Sequence, residues 1–286
     1  MRSRSRTFWT LVPLVLGALA MLFPLWWMLV VSLETPGRAG AATVNVDAIK
    51  LWPEQAQWSN YPDALAEVGT TRWAGFLDAL ANSVVVTTLT VVATVLSCSL
   101  VAYALARVPF RGRGALFGVM LGTMMLPPQV TMIPLFLLFR TLGWVDTILP
   151  LVVPAFFGNA FFIFMFRQFM AQVPEALVEA ARLDGCGHLE IWRRVMLPMC
   201  KPVIAITAVF TFIYVWNDFL GPLIYLTDQR DFTLALGLQF FQSQHGGTEW
   251  HYLMAAGTLV ALPIIALFFF TQKSFIEGIS MTGLKG

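Results

Sequence analysis

Charged residues are scarce in this sequence. Asp, Glu, Lys and Arg make up only 12% of its 286 residues, whereas 58% of the residues are hydrophobic. A typical soluble domain carries about 25% charged residues. The shortage of charge therefore argues against an ordinary soluble domain and directs attention to the membrane.

Several patterns of enzymes and binding proteins are missing as well. The sequence has no Gly-x-x-x-x-Gly-Lys-Ser/Thr phosphate loop, so we do not expect the chain to hydrolyse ATP by that mechanism. It groups no nucleophile with a base, and it has no basic patch interleaved with aromatic residues for nucleic acid. The three cysteines lack metal or disulfide spacing and are expected to be free thiols. The three histidines are too scattered to predict a metal site.

Long runs without charge are what the sequence has instead. A helix needs about 20 apolar residues to cross a bilayer. Five runs reach that length, and the fifth run in chain order reaches it only when Asp218 is included. We therefore predict an all-α integral membrane protein, one permease-like domain over 1–286, with six transmembrane helices at about 8–32, 80–106, 114–139, 147–168, 202–227 and 250–272.

The basic residues predict the orientation of these helices. Of the 18 lysines and arginines, 13 precede the first helix, follow the sixth, or lie between helices two and three or four and five. Positive charge marks the cytoplasmic side. Both termini, a loop at 169–201 and a tail at 273–286 are therefore expected in the cytoplasm, and a loop at 33–78 outside it. The first apolar run is too long for the core of a cleavable signal, so we expect it to remain as helix one.

The loop at 169–201 carries the most specific motif. It contains Glu179-Ala180-Ala181, then Asp184-Gly185, then Leu197-Pro198. Pro174 suits the first position of a helix, and Gly185 suits the position just after its end. The pattern predicts a short helix, a break and a second short helix, with a face of low bulk at the two alanines.

This spaced pattern resembles the cytoplasmic coupling loop of ATP-binding cassette (ABC) importer permeases. Val195 replaces the family's isoleucine, and Cys186-Gly187 replaces a common Ala-Ser. From about residue 82 to the end, the chain is similar to the sugar-type permeases, in particular to the shorter permease of the maltose importer. The matching segments are Gln129–Pro134, Val173–Glu175, Trp216–Phe219, Thr248–Trp250 and Phe275–Gly286.

The resemblance implies a type I ABC importer permease in the plasma (inner) membrane of a prokaryote. Its expected partners are a second homologous permease, a dimer of ATPase subunits that bind the ATP and Mg²⁺, an extracytoplasmic solute-binding protein and the lipid bilayer. Glu179 is expected to pair with a basic residue of the ATPase, and Gly185 to allow the sharp turn. The tail, rich in glycine and not expected to form a stable helix alone, is expected to reach between the ATPase subunits. The implied solute is a sugar or a polyol-like molecule.

Asp218 is the one carboxylate inside a predicted span, where a charge costs roughly 2.5–3.5 kcal/mol on insertion scales. It belongs with Trp216 and Asn217 either to the solute path, where the tryptophan offers a flat face to a sugar ring, or to a structural hydrogen-bonded pair. Two other function classes stay open: an ion-coupled secondary transporter with Asp218 as its ion site, and an intramembrane enzyme. The spaced loop motif argues against the first, and the missing catalytic grouping against the second.

Overall fold

The computed structural model of the chain describes residues 2–35, 38–39, 51–67, 75–241 and 248–283. These residues form helices and turns and no β-strand, so the predicted all-α class is confirmed. The helices named below are, in chain order, α1 Arg2–Ser32, α2 Asn60–Glu67, α3 Phe76–Arg107, α4 Arg113–Thr123, α5 Pro128–Thr141, α6 Leu149–Val152, α7 Ala160–Ala171, α8 Glu175–Leu183, α9 His188–Met199, α10 Lys201–Trp216, α11 Leu220–Tyr225, α12 Leu234–Gly237 and α13 Trp250–Gly283.

Four stretches among these residues are long and apolar enough to cross a membrane: Leu11–Ser32, Phe76–Arg107, Leu149–Ala171 and Trp250–Gln272. Two further pairs qualify only together, because each is bent at a short break. The bend is 98° between α4 and α5 and 82° between α9 and α10. Counting each bent pair as one span gives up to six spans by length and composition, the predicted number, although the second pair covers His188–Trp216 and not the expected 202–227.

The helix expected over 114–139 is broken, and its prolines explain the break. Pro127 has an extended backbone, with φ −62° and ψ 135°, and α5 begins at Pro128. A residue that precedes proline is pushed out of the helical region by the proline ring. The prediction of one continuous helix over 114–139 is therefore wrong.

The helix expected over 202–227 also ends early, at Trp216. Pro222 has no N–H and could not donate to the carbonyl of residue 218 in a continuous helix. The chain turns after Trp216 and re-enters a short helix, α11, at Leu220. In the opposite sense, α13 continues past the expected end at 272 as far as Gly283. Extending an existing helix adds one hydrogen bond per residue, which offsets a glycine's cost of about 1 kcal/mol.

The contacts divide the chain into two compact units, and the single permease domain over 1–286 remains a prediction. One unit combines the chain up to Leu77 with Gly237–Ile265. In it, the buried Asn60 side chain donates to the carbonyls of Ser32 at 2.8 Å and Glu34 at 2.9 Å, which ties α2 to the end of α1. The expected outer loop at 33–78 is therefore ordered around α2, while 36–37, 40–50 and 68–74 lie outside the described residues.

The other unit combines Asp78–Leu236 with the chain from Ala266. Its apolar core gathers the C-terminal half of α3, the length of α7, the inner face of α8 and the bend from α9 into α10. We call this the loop core; its buried members are Cys98, Ala102, Tyr103, Leu105, Ile163, Phe166, Met170, Val173, Val178, Ala181, Ile191, Met196, Cys200 and Val203. The loop core places the motif-bearing loop directly on the ends of the membrane helices.

Candidate functional site

The motif-bearing loop begins with helix α8. Pro174 is the residue before the first helical turn and Glu175 the first residue in it, one position later than expected. The Glu175 carboxylate lies at the positive end of the helix dipole, where negative charge is stabilising. It also forms an ion pair with Arg107, the last residue of α3.

The end of α8 is a Schellman turn centred on Gly185. The amide of Cys186 donates to the Ala181 carbonyl at 2.9 Å, and the amide of Gly185 donates to the Arg182 carbonyl at 3.0 Å. Gly185 has φ +81°, yet a methyl group added to it would meet no atom within 4 Å. The position therefore requires glycine for its backbone conformation and not for space. Asp184, exposed, is the residue at which the helix ends.

The two faces of α8 differ sharply in burial. Val178 and Ala181 face the loop core and are 0% and 8% exposed. Glu179 and Ala180 are exposed, and Leu183 is 89% exposed. The expectation that both alanines form one open face needs correction, because residues one apart on a helix point about 100° apart. Ala180 belongs to the outer face, whereas Ala181 is part of the core.

Arg107, at the end of α3, contacts the chain where this loop begins. Its side chain is 8% exposed and, besides Glu175, it donates to the carbonyls of Met170 at 2.6 Å and of Val173. Met170 lies in the last turn of α7 and Val173 just after it, so the guanidinium supplies a charged donor at the junction of α7 and α8. Arg107 therefore fixes the end of α7 and the start of α8 to the same point of α3.

A second contact joins α3 to the loop one turn earlier. The Tyr103 hydroxyl, in the loop core, lies 3.0 Å from Nδ1 of His188, the first residue of α9. Within α9, Trp192–Met196 form a π-helical turn directly before Leu197 and Pro198. The missing N–H of Pro198 is accommodated there, and the chain then bends into α10. Leu197-Pro198 thus marks the corner between the loop and a membrane helix.

The second unit also holds a cavity of about 570 Å³, and none of its lining residues is a buried member of the loop core. Its walls come from the first half of α3, from the segment between α6 and α7, and from the last two turns of α10. Phe210, Tyr214 and Asp218 line it from one side at a spacing of four residues. Four threonines contribute to the walls: Thr90, Thr94, Thr211 and Thr233.

Asp218 holds its place in this cavity through a close approach to the backbone. Its Oδ1 accepts the amide proton of Gly221 at 3.1 Å. A Cβ atom on Gly221 would lie 2.4 Å from Oδ2, so a larger residue would displace the carboxylate. In the part of the chain that the structure describes, no salt bridge reaches Asp218.

The other two residues predicted for the solute path do not line the cavity. Trp216 is 3% exposed and stacks on Phe212, with ring centroids 5.2 Å apart. The Asn217 side chain donates to the carbonyl of Ile213 at 2.7 Å and closes the end of α10. Trp216 lies two residues from Tyr214, about 200° around the helix, so it points away from the cavity. The prediction that Trp216 offers its face to a sugar needs this correction.

A short polar turn at Asp146 joins the start of the α6 segment to the end of α11. Asp146 has φ +65°, and its Oδ1 accepts the amide protons of Thr227 and Asp228, both at 2.8 Å. The hydrogen bond from Asp228 and then that from Thr227 lower the pKa of the Asp146 carboxyl. Aspartate is one of the few residues that adopt this left-handed conformation readily.

The sequence analysis missed several of these residues. Phe210 and Tyr214 repeat at helical spacing ahead of Asp218, a signal that could have placed them on its face. Arg107 and Tyr103 gave no such signal, because their partners lie 63 to 85 residues away in the chain. Among the described residues, no group of three or more His, Cys, Asp or Glu side chains could hold a metal ion.

Comparison with known proteins gives consistent matches. The sequence profile of the family described as "Binding-protein-dependent transport system inner membrane component" matches residues 98–280. The chain is 33% identical to the arabinooligosaccharides transport system permease protein AraQ of Bacillus subtilis over 269 residues, which cover 94% of this chain and 92% of that protein. It is 31% identical to the sn-glycerol-3-phosphate transport system permease protein UgpE of Rhizobium meliloti over 272 residues, 94% of each chain.

A solved structure shares the fold. It is the crystal structure of a bacterial ABC transporter involved in the import of the acidic polysaccharide alginate. One of its chains superposes with a TM-score of 0.79 at 24% identity, over 95% of this chain and 97% of that chain.

Proposed function

Because this chain belongs to the family of binding-protein-dependent transport system inner membrane components, we propose that it is a permease subunit of an ATP-driven carbohydrate importer. The chain is a multi-pass protein of the inner membrane. The resemblance to ABC importer permeases, drawn from the Glu179 motif, is confirmed at the level of the family. In this role the chain forms one half of a solute path and couples it to separate ATPase subunits.

The outer face of α8 is the observation that carries this proposal. Its exposed residues include Leu183 at 89% and Leu177 at 43%, and Leu189 at the start of α9 is 63% exposed. Exposed leucines in a charged loop indicate a surface that another protein covers. The same short helix is fixed underneath by the loop core, so a push on its outer face reaches α3, α7 and α10 directly.

The individual loop residues take distinct roles in the proposed contact. Glu179 pairs with a basic residue of the ATPase subunit, and Ala180 permits close approach between the two proteins. Asp184 and Gly185 turn the chain, while Leu197-Pro198 directs it back into the membrane. Ala181 supports the surface from within the loop core.

ATP and Mg²⁺ are assigned to the partner ATPase dimer in this proposal, since this sequence contains no phosphate loop. A second homologous permease completes the path, and an extracytoplasmic binding protein delivers the solute. The distribution of 13 of the 18 basic residues supports cytoplasmic termini and a cytoplasmic α8–α9 loop.

The solute path is assigned to the cavity that Asp218 lines. A carboxylate in a membrane protein is retained where water or polar partners reach it. Asp218 meets that condition in the cavity, whereas Trp216 and Asn217 support the end of α10. The cavity wall is proposed to face the second permease, so that solute passes between the two subunits.

Reversal of the charge at Glu179 tests the proposed coupling. Glu179→Lys is expected to leave membrane insertion intact, because it alters an exposed side chain, but to abolish both co-purification of the ATPase and solute uptake. Asp63→Lys, an equal charge reversal at an exposed residue of α2, is the control and is expected to keep both. Normal ATPase association and uptake in Glu179→Lys, or uptake that follows an ion gradient without ATP, would contradict the proposal.

A further inference from the structure

The charge of the cavity wall is one-sided. Among the described residues that line the cavity, Asp218 carries the one ionisable carboxylate, and none is lysine, arginine or histidine. Relatives of similar identity are named for a neutral oligosaccharide and for an anionic phosphate ester. Family membership therefore does not determine the charge of the solute, which has to be inferred from the residues of the cavity wall.

Neutral hydrogen-bonding groups make up the rest of the polar surface. Thr90, Thr94, Thr211 and Thr233 are between 4% and 7% exposed. The Oγ1 atoms of Thr211 and Thr233 are buried and find no hydrogen-bond partner among the described residues. These two oxygens have almost no accessible surface in this structure. The threonines therefore contribute uncharged side chains to the wall, and the Asp218 carboxylate is the acceptor that a solute hydroxyl can reach.

Aromatic rings supply the remaining character of the wall. Phe210 and Tyr214, four residues apart on α10, line the cavity together with Asp218, and Phe161 and Phe162 contribute from the start of α7. Tyr214 is 74% exposed and so is available to a solute. A mostly apolar wall with a few placed polar groups is typical of small-molecule sites, which span about 300–1,000 Å³. The cavity volume of about 570 Å³ falls within that range.

We propose that this cavity binds a neutral, polyhydroxylated solute and disfavours anionic ones, with the Asp218 carboxylate as the discriminating group. This inference rests on the proposed transport function and adds the charge class of the solute. A carboxylate accepts hydrogen bonds from two solute hydroxyls, whereas a phosphate or uronate would bring a second negative charge to a wall without a cation. We expect discrimination of at least about tenfold, because like charges about 4 Å apart repel strongly at protein dielectric values.

A thiol reporter in the cavity measures this discrimination directly. Ala155→Cys places a small thiol on the cavity wall. Cys98 and Cys200 are buried but Cys186 is partly exposed, so the labelling of the protein without the reporter is measured and subtracted as background. The importer complex in native membranes is treated with a maleimide alone and with probes at equal concentrations. The neutral probes are arabinotriose, maltotriose and raffinose; the anionic probes are glycerol 3-phosphate and trigalacturonate.

At least one neutral probe is expected to slow labelling at concentrations about tenfold lower than either anionic probe needs. In the Asp218→Asn background this ratio is expected to fall to about one, because the charge is lost while the shape remains. Asp63→Asn, the same change at an exposed residue of α2, is expected to keep the ratio. Gly221→Ala displaces the carboxylate without removing it and is expected to give an intermediate ratio, which provides a second test if Asp218→Asn assembles poorly.

Two results would overturn the inference. One is protection by the anionic probes at concentrations equal to or below those of the neutral probes; the other is protection by no probe. In either case the proposed function is judged separately. If the ATPase still co-purifies and Glu179→Lys still abolishes that association, the permease role stands and only the charge class of the cavity fails.

Discussion

The loop core and the cavity wall belong to the same compact unit but differ in whether their polar side chains are hydrogen-bonded to neighbouring helices. At the loop core, Arg107 and Tyr103 reach partners on α7, α8 and α9. At the cavity wall, the hydroxyls of Thr211 and Thr233 have no partner within the described chain. Next to the loop core, Arg107 Nε and Trp192 Nε1 are buried without a partner among the described residues, whereas the one hydroxyl of the loop core, that of Tyr103, is paired.

This difference assigns different mechanical roles to the two regions. A buried polar group without a partner costs about 1–3 kcal/mol, and such hydroxyls also occur outside the cavity wall, at Thr87 and Thr207. Paired groups that cross from one helix to another hold those helices together. The loop core is therefore built to transmit motion as one piece, whereas the hydroxyls of Thr211 and Thr233 add no such link between helices.

Removal of the Arg107 side chain should cause the largest loss of stability, because it removes contacts that join three helices at the loop core. Arg107→Ala leaves two helix-end carbonyls and Glu175 without their cation, and we expect the free energy of unfolding to fall by about 3 kcal/mol. Arg107→Lys should lose less stability, since a lysine keeps the positive charge but lacks the planar, forked donor group of arginine. Thermal denaturation of the purified complex measures the loss. Arg111→Ala, at an exposed arginine four residues later, is the control. An equal loss of stability in both variants would mean that the contacts of Arg107 with α7 and α8 do not stabilise the protein.

Two glycines of the loop provide a matched pair for the next effect. Gly185 has φ +81° and Gly187 has φ −74°, and neither has an atom within 4 Å of an added methyl group. Gly185→Ala should therefore destabilise the protein by about 1–2 kcal/mol, through backbone strain alone. Gly187→Ala meets no backbone strain but places a poorer N-cap residue before α9, so it should cost only about 0.5 kcal/mol. Chemical denaturation of both variants tests this, and similar stabilities would show that the Schellman turn does not depend on the glycine.

Removal of a hydroxyl should have opposite signs in the two regions. Tyr103→Phe loses the contact with His188 and should destabilise the protein by about 1 kcal/mol. Thr211→Val removes an unpartnered buried hydroxyl and should stabilise the protein by about 1 kcal/mol. The melting temperatures of both variants are compared with that of the wild type. Destabilisation by Thr211→Val would mean that its hydroxyl has a structural partner after all.

The smallest effect on stability is expected from the protonation of the Asp146 carboxylate at low pH. Its folded pKa is lowered below the unfolded value of about 3.9. The resulting stability is present above the unfolded pKa and is lost as the pH falls through the folded pKa. Asp146→Asn keeps the left-handed backbone but loses the charge, so it should be less stable than the wild type near neutrality and equal to it in strong acid. A difference that does not change with pH would exclude the charge as its source.

The sequence predicted the parts of the fold that depend on local composition. Apolar runs located the spans, and the spacing from Glu179 to Pro198 located the loop helices and the glycine turn. The phase of a helix is harder to predict, because it depends on what packs against each face. The motif at Trp216–Asp218 therefore mixed one cavity residue with two structural ones. The contacts of Arg107 with Met170 and Glu175 could not be predicted, because the fold alone brings these residues together.

The central claim is that α3 and the start of the loop move together, and a covalent link tests it most directly. In Arg107→Cys combined with Glu175→Cys, the ion pair is lost, and we expect loading of the binding protein to stimulate ATP hydrolysis less than in the wild type. A short bifunctional thiol reagent that joins the two cysteines should restore the stimulation and the uptake, because it replaces one attachment by another. If the cross-link instead abolishes the remaining uptake, the two elements must separate during transport, and the account of the loop core as a single moving piece is wrong.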